Sequence, residues 1–583
     1  MTAQAIKELL KQGKYQAGLD LLSQREADGT FDTFTEKQQI ECIYYKSYAL
    51  YWGLGQREEA LQIILAAREK YTSPNDRSLL LVLLNQQIFM LCKMARVDEA
   101  LEVIKEGDAI LESLTAKERE TGAYWIAFFK NRKAAYYYTK KDWNTALEYY
   151  QRALASGEEI GESSIIMNAL YNSGLIYAIT GEYDTALDYI QRNLDLGSEN
   201  VFNFICIGAI YLLKGELDTA LNYYQQALSI SEKSGNPRWI GHALGFITGY
   251  YCLKGELDIA LEYNHRFLSL AKKTGNSESL AGCFLLFAYI YYLKGELETA
   301  LDYIQQNLAF RGEISEPDVF GDPILLSAWI YHAQGELDTA LKRLQQRLSE
   351  EEHTGNDHFV SATLFSLIRV VLDQNNHFQA QKYLKHLQQL QGRTPNPWIH
   401  FHSRLAEALV LKQSPRAKDK FQAQNILEKL VKEDLLAIWL TALAIIHLCD
   451  LLIGEVKLYG ELDVWKEAKA LIDNLYVMAQ DQKSVSLICE ALLFRAKFAA
   501  IDKKLSQALQ YYEQARLIAT EKNLPVLLAK VDTEQKRFET EFETWQNLIQ
   551  SNVSLKERLK HARMDDYIKE VQQILKMDLP REL

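Results

Sequence analysis

Few residues in this chain have the types and spacing that chemistry needs. His400 and His402 are the one close histidine pair. On a helix, side chains two positions apart point to different faces, so the pair makes a poor joint metal site. Carboxylates recur at Glu216 and Asp218 and at matching positions further along. A recurring carboxylate could suggest acid/base work, but copies in many units belong to a fold rather than to a catalytic centre. There is no GxxxxGK[ST] or GxGxxG phosphate loop, and no HExxH, GxSxG or kinase signature. His447 and Asp450 sit in an apolar run, Leu435 to Gly454, that imitates a membrane span. Ionisable groups inside a span are expensive, so a helix covered on both sides explains the run better. The expectation is a non-enzyme with no metal and no cofactor.

Composition narrows the class further. At 583 residues the chain is too long for one compact core. Hydrophobic residues make up 48% and charged residues 24%, as in ordinary globular proteins, which excludes wholesale disorder. Only 9 prolines suit an almost all-helical chain. A formal charge of −12 disfavours nonspecific nucleic-acid binding and attraction to anionic membranes. The densest basic stretch, Lys412 to Lys420, reads as a solvated segment between helices. Seven cysteines are scattered singly, with no CxxC, which fits buried thiols in a reducing cytoplasm. Met1 to Leu10 reads as an amphipathic helix start without the apolar stretch of a signal peptide.

The elements that must position any working residue announce themselves by repetition. Gly215-Glu216-Leu217-Asp218-Thr219-Ala220-Leu221 returns, with at most one change, at Gly255 to Leu261, Gly295 to Leu301 and Gly335 to Leu341. Gly181 to Leu187 is a close relative. Ala220, Ala260, Ala300, Ala340 and Ala380 follow one another at steps of 40 residues. Self-similarity at a fixed period of this size means a stacked helical solenoid. Within one unit, Val201 to Lys214 is apolar at helical spacing, and Gly215 ends that helix. Glu216 and Asp218 then open a second helix, where negative charge suits the dipole. Leu221, Tyr224, Ala227 and Leu228 form its apolar stripe. Ser-Gly-Asn or Thr-Gly-Asn, beginning at Ser234, Thr274 and Thr354, closes the unit with a polar turn.

Small residues at Gly174, Gly208, Thr248, Ala288 and Ala328, and tyrosines at Tyr177, Tyr211, Tyr251, Tyr291 and Tyr331, precede these turns at fixed distances. This pattern resembles the tetratricopeptide repeat. The 40-residue units look like its longer-helix variant. Weaker units extend both ways. The small-residue anchors are Gly18, Ala60, Ala100, Ala146, Ala186, Ala220, Ala260, Ala300, Ala340, Ala380, Ala423, Ala468 and Ala508. They imply an all-α, right-handed superhelical solenoid of about thirteen helical hairpins. Leu448 to Leu452, Ala479 to Ser484 and Leu527 to Ala529 also resemble the tail of a group of archaeal repeat proteins, abundant in Asgard genomes.

The family resemblance implies that the first helix of each unit faces a concave groove. Carried onto this chain, its groove positions include Asn131, Arg132, Asn168, Tyr171, Asn172, Phe202, His242, Phe246, Tyr289, Tyr292, Trp329 and His332. Asn172 matches the family asparagine that holds a bound peptide backbone. An amide side chain can both donate and accept, which suits a peptide unit. The groove grades from polar to aromatic, a surface for an amphipathic helix or an extended apolar peptide. The same rings could instead fill the narrow space between neighbouring first helices; both readings stand at this point.

The expected division is 1–120 and 392–530 as degenerate repeats, 121–391 as the regular array, and 531–583 as capping helices or a partner-binding tail. The stretch Gly392 to Trp398, with two prolines, is the clearest interruption, marking either a bend or a new superhelical segment. The functional expectation is a non-catalytic cytoplasmic scaffold or adaptor binding a protein or peptide segment. Its rivals are a peptide-responsive regulator and a structural, self-assembling solenoid.

Overall fold

The computed structural model describes residues 5–577 except 7, 8, 10–14, 54, 55, 73–75, 95, 198–200, 215, 255, 295, 312–320, 355, 356, 394–396, 434–437, 482, 483 and 522–524. The described residues form thirty α-helices and two short 3-10 segments, with no β-strand among them. One helical hairpin follows another, each packing on the next, which makes an all-α repeat solenoid.

Every anchor alanine falls inside the second helix of a hairpin, from Ala60 in Arg57–Lys70 to Ala508 in Leu505–Glu521, and Gly18 lies in Tyr15–Ala27. All the anchor alanines from Ala60 to Ala508 are fully buried. The reason is close approach between the two helices of a hairpin. A Cβ added at Gly208 would lie 2.5 Å from the ring of Tyr224, and one at Gly174 would lie 2.7 Å from Ile190. Tyrosines one helix apart then pair across each hairpin: Tyr137 with Tyr149, Tyr177 with Tyr189, Tyr211 with Tyr223, Tyr251 with Tyr263, and Tyr291 with Tyr303.

The tight turn has a reproducible hydrogen bond. Gly181 and Gly335 adopt φ of 87° and 82°, which only glycine enters without a Cβ penalty. The following Glu182 N–H then donates to the Tyr177 carbonyl at 2.8 Å. The same bond joins Glu216 to Tyr211, Glu256 to Tyr251, Glu296 to Tyr291 and Glu336 to Tyr331. Gly215, Gly255 and Gly295, expected to stop their helices, lie outside the described residues. The polar turn is equally specific. Gly235 and Gly275 take φ of 65°, ending one helix. Asn236 then caps the next by accepting from the Arg238 and Trp239 N–H groups, and Asn276 accepts from Ser279. The third such turn, after Thr354, lies outside the described residues.

The solenoid coils tightly enough for distant units to touch. Trp398 Nε1 donates to the Tyr183 hydroxyl at 3.0 Å, across 215 residues of sequence. Arg57 meets Glu278 at 3.6 Å. First helices also pack on first helices of neighbouring units, as Asp357–Asp373 does on Pro397–Lys412. The apolar run expected as a covered helix is the helix Ile438–Tyr459. No helix among the described residues is long and apolar enough to cross a membrane.

After Glu521 the hairpin pattern ends. The helices Pro525–Thr540, Phe542–Gln550, Leu555–His561 and Met564–Met577 follow, with a break at Ser551-Asn552, where Asn552 takes φ of 50°. The last helix turns back against the first helices Pro323–Ala333 and Ile438–Tyr459.

Candidate interaction surface

The recurring carboxylates have a structural job. Each ties the start of a second helix to the end of the next unit's first helix. Asp184 pairs with Lys214 at 2.9 Å, Asp218 with Lys254 at 3.0 Å, and Asp258 with Lys294 at 3.3 Å. Gln334 and Gln374 continue the ladder by donating to Glu298 and Asp338, both at 2.8 Å. Each carboxylate lies in a helix's first turn, and each partner lies at a helix C-terminus, where its charge or N–H suits the dipole. The ladder stops where phenylalanines take the carboxylate position: Phe378 and Phe421 are 81% and 64% exposed. The lysines that would close those rungs turn elsewhere. Lys412 pairs with Asp450 and bonds His447, and Lys457 reaches Asp565 of the C-terminal helix at 2.5 Å.

The groove residues named from sequence divide into two groups. Asn131, Tyr289, Tyr292, Trp329 and His332 are buried. Asn131 donates to the Ile165 carbonyl of the next first helix at 3.4 Å. Trp329 Nε1 donates to Ser366 Oγ at 3.2 Å, and His332 Nε2 lies 2.6 Å from Asp373. These contacts join one first helix to its neighbour, so burial here comes from packing between units. Arg369, on the same stretch, is also buried, and burial lowers its pKa to about 10.

The second group is half-buried: Arg132, Asn168, Tyr171, Asn172, Phe202, His242 and Phe246. The Arg132 guanidinium sits over Phe89 at 4.6 Å and Phe128 at 4.4 Å. Asn172 donates to the Asn168 carbonyl at 2.8 Å, within its own helix. Phe202 meets His242 edge to face at 5.4 Å, and Phe246 packs against Tyr224 at 5.5 Å. Burial, then the neighbouring Arg238 charge, lowers the His242 pKa to about 4, which keeps the ring neutral at pH 7. Two hydrogen-bonding amides and three accessible rings thus share one stretch of first helices.

The histidine pair behaves as its spacing implies. Gln391 donates to His400 at 3.0 Å, whereas His402 is buried, bonded to Ser361 at 3.1 Å and stacked on Phe365. All seven cysteines are buried as free thiols. Burial pushes Cys42 and Cys92 up to about 11, which keeps them protonated and unreactive at neutral pH.

A cluster that sequence reasoning missed lies under the C-terminal helix. Glu490, 1% exposed, takes Lys530 Nζ on both oxygens at 3.0 and 2.9 Å. The Tyr567 hydroxyl donates to the same carboxylate at 3.3 Å. Lys497, which pairs with Glu534, and Lys530 lie 4.6 and 4.9 Å from the centre of the Tyr567 ring. Phe494 meets that ring edge on at 4.8 Å. A clue was available in Val485–Ile501, where Glu490, Arg495 and Lys497 interrupt a mostly apolar helix. Charges in such a place need buried partners.

Comparison with known proteins agrees with this architecture. Residues 206–523 match the MalT-like TPR region, and residues 125–199 match the tetratricopeptide repeat. No curated protein sequence matches the chain. Among solved structures, a Rap protein complexed with competence and sporulation factor is similar, with TM-score 0.44 and 14% identity, over 61% of this chain and 99% of that one. The hetero-tetramer of Cut9 and Hcn1 from the APC/C gives TM-score 0.41 and 12% identity, over 90% and 95%. Aspartyl phosphate phosphatase F from Bacillus subtilis gives TM-score 0.37 and 16% identity, over 61% and 95%. Since the match over 206–523 alone spans more than half of the sequence, the chain belongs to the MalT-like tetratricopeptide-repeat family.

Proposed function

We propose that the protein is a cytoplasmic interaction scaffold that holds a peptide or helical segment of a partner on its inner face. The reading rests on one observation: Asn168, Tyr171, Asn172, Phe202 and Phe246 are partly accessible on consecutive first helices. Rings supply anchoring area and amides supply hydrogen bonds to a backbone. Arg132 closes the polar end of the stretch. Asn131, Tyr289, Tyr292, Trp329 and His332 form the packed wall behind and beyond it. An apolar or amphipathic segment suits this surface better than an acidic tail, because Arg132 already lies between two rings.

A display library of peptides selected on the full chain tests the reading. Binding of the selected sequences should weaken at least about tenfold in an Asn172→Ala, Phe202→Ala double variant whose helicity is retained, since anchors of this kind are each worth about 1–2 kcal/mol. Unchanged affinity would move the binding surface off this stretch.

A further inference from the structure

The C-terminal helix Met564–Met577 packs on the first-helix side of the solenoid, a place no cap requires. It contacts the first helices Pro323–Ala333 and Ile438–Tyr459, and through Tyr567 it reaches Val485–Ile501. Capping the last hairpin is already done by the helix Pro525–Thr540, which packs on Leu505–Glu521. The last helix instead buries one stripe, Met564, Tyr567, Ile568 and Val571, and exposes Asp565, Asp566 and Lys569. That is the geometry of an amphipathic helix lying in a groove.

The contacts define what the groove recognises. Aliphatic side chains flank a tyrosine, one turn to either side. The tyrosine hydroxyl has a built acceptor in Glu490, and its ring lies beside two lysines. An acidic first turn meets Lys457. Lys457 is available because Phe421 stands where the ladder would have supplied a carboxylate. His447 accepts from Gln572 at 3.3 Å. The attachment is strong in chemistry but short in length, and it hangs on a two-residue link after His561. A helix held by one turn-to-turn stripe and a tether can leave without unfolding the hairpins beneath it.

We propose that the first-helix side formed by Pro323–Ala333, Ile438–Tyr459 and Val485–Ile501 is a second binding site, for a partner's amphipathic helix with an acidic first turn and a buried tyrosine, and that Met564–Met577 is its exchangeable resident. The site is separate from the stretch between Arg132 and Phe246, and it stands or falls independently of that one. The tether gives the resident a high effective concentration, so an incoming helix binds weakly until the resident is loosened.

The probe is a labelled peptide with the sequence of residues 562–577. It should bind the full-length Ile568→Asp variant at least about tenfold more tightly than the natural chain. The same peptide carrying Tyr567→Phe should bind that variant several-fold more weakly. Equal affinity for variant and natural chain would overturn the proposal. So would association of the variant with a natural copy into a dimer, because the occupant would then be a second chain. Hydrogen exchange on the natural chain decides the matter even if the variant fails to fold. Amides of Met564–Met577 should exchange at least about tenfold faster than those of Val485–Ile501. Equal protection would make the helix an integral part of the fold and overturn its exchange.

Discussion

Between Tyr183 and Gln374, and again between His377 and Glu521, the same hairpin is stacked, but the units are tied together differently. In the first region the ties are light and regular. One carboxylate per unit bonds one lysine or glutamine of the next, at the edge of the solenoid, with Asp184 and Asp218 themselves 92% and 78% exposed. In the second region that ladder is gone. Buried charges under the C-terminal helix take its place, and phenylalanines stand exposed where carboxylates were. A repeat array needs only nearest-neighbour contacts, so regular ties suffice wherever every unit is alike. Irregular ties appear where the chain must also hold something that is not a repeat.

The largest effect should separate the two kinds of ion pair. Glu490→Ala leaves Lys530 and the Tyr567 hydroxyl without their acceptor, inside the fold. Breaking a buried pair in this way costs about 3–5 kcal/mol. Asp184→Ala removes the exposed partner of Lys214, itself partly exposed, and pairs of that kind are worth at most about 1 kcal/mol. Urea unfolding followed by circular dichroism, with hydrogen exchange to locate the loss, checks both. Similar costs for the two substitutions would erase the distinction.

Glycines sharpen the comparison at a smaller scale. Gly208→Ala drives a methyl to 2.5 Å from the Tyr224 ring, so the ring and its helix must move. Overpacking of this kind costs about 1–3 kcal/mol. Gly454 lies within the helix Ile438–Tyr459, and a Cβ there would meet nothing within 4 Å. Gly454→Ala should therefore stabilise by about 0.5–1 kcal/mol, through helix propensity alone. Thermal melts of the two variants should move in opposite directions.

The difference between the regions also explains what could be read in the sequence. The hairpins were legible because close helix crossing admits only a small residue, and that demand recurs in every unit from Gly18 to Ala508. The polar turns were legible for the same reason: a left-handed glycine followed by a capping asparagine leaves a fixed signature. For the candidate groove residues only their place on first helices was legible. Sequence spacing placed Trp329 and His332 on the first helix, but their burial depends on Ser366 and Asp373 of the next unit. The C-terminal cluster left only one clue, the charges inside the mostly apolar helix Val485–Ile501. Glu490, Lys530 and Tyr567 come from three helices with no common period, and nothing local in Met564–Met577 says which face of the solenoid it will meet.

The smallest expected effect asks why the ladder ends. Phe378→Asp would restore a carboxylate where Lys412 could again close a rung. Lys412, however, is already held by Asp450 and His447. The new pair must compete with that arrangement, and Phe378 gives up almost no burial by leaving. Stability should therefore change by less than about 0.5 kcal/mol, as for surface substitutions in general. A double-mutant cycle with Lys412→Met isolates the pair, and its coupling should be equally small. A coupling well above 1 kcal/mol would mean that the ladder is worth as much here as anywhere, and that its loss has a stability cost that the exposed ring does nothing to offset. A coupling near zero would mean that the ladder could lapse at this unit without penalty, as it does one unit later, where Phe421 stands and Lys457 holds Asp565 instead.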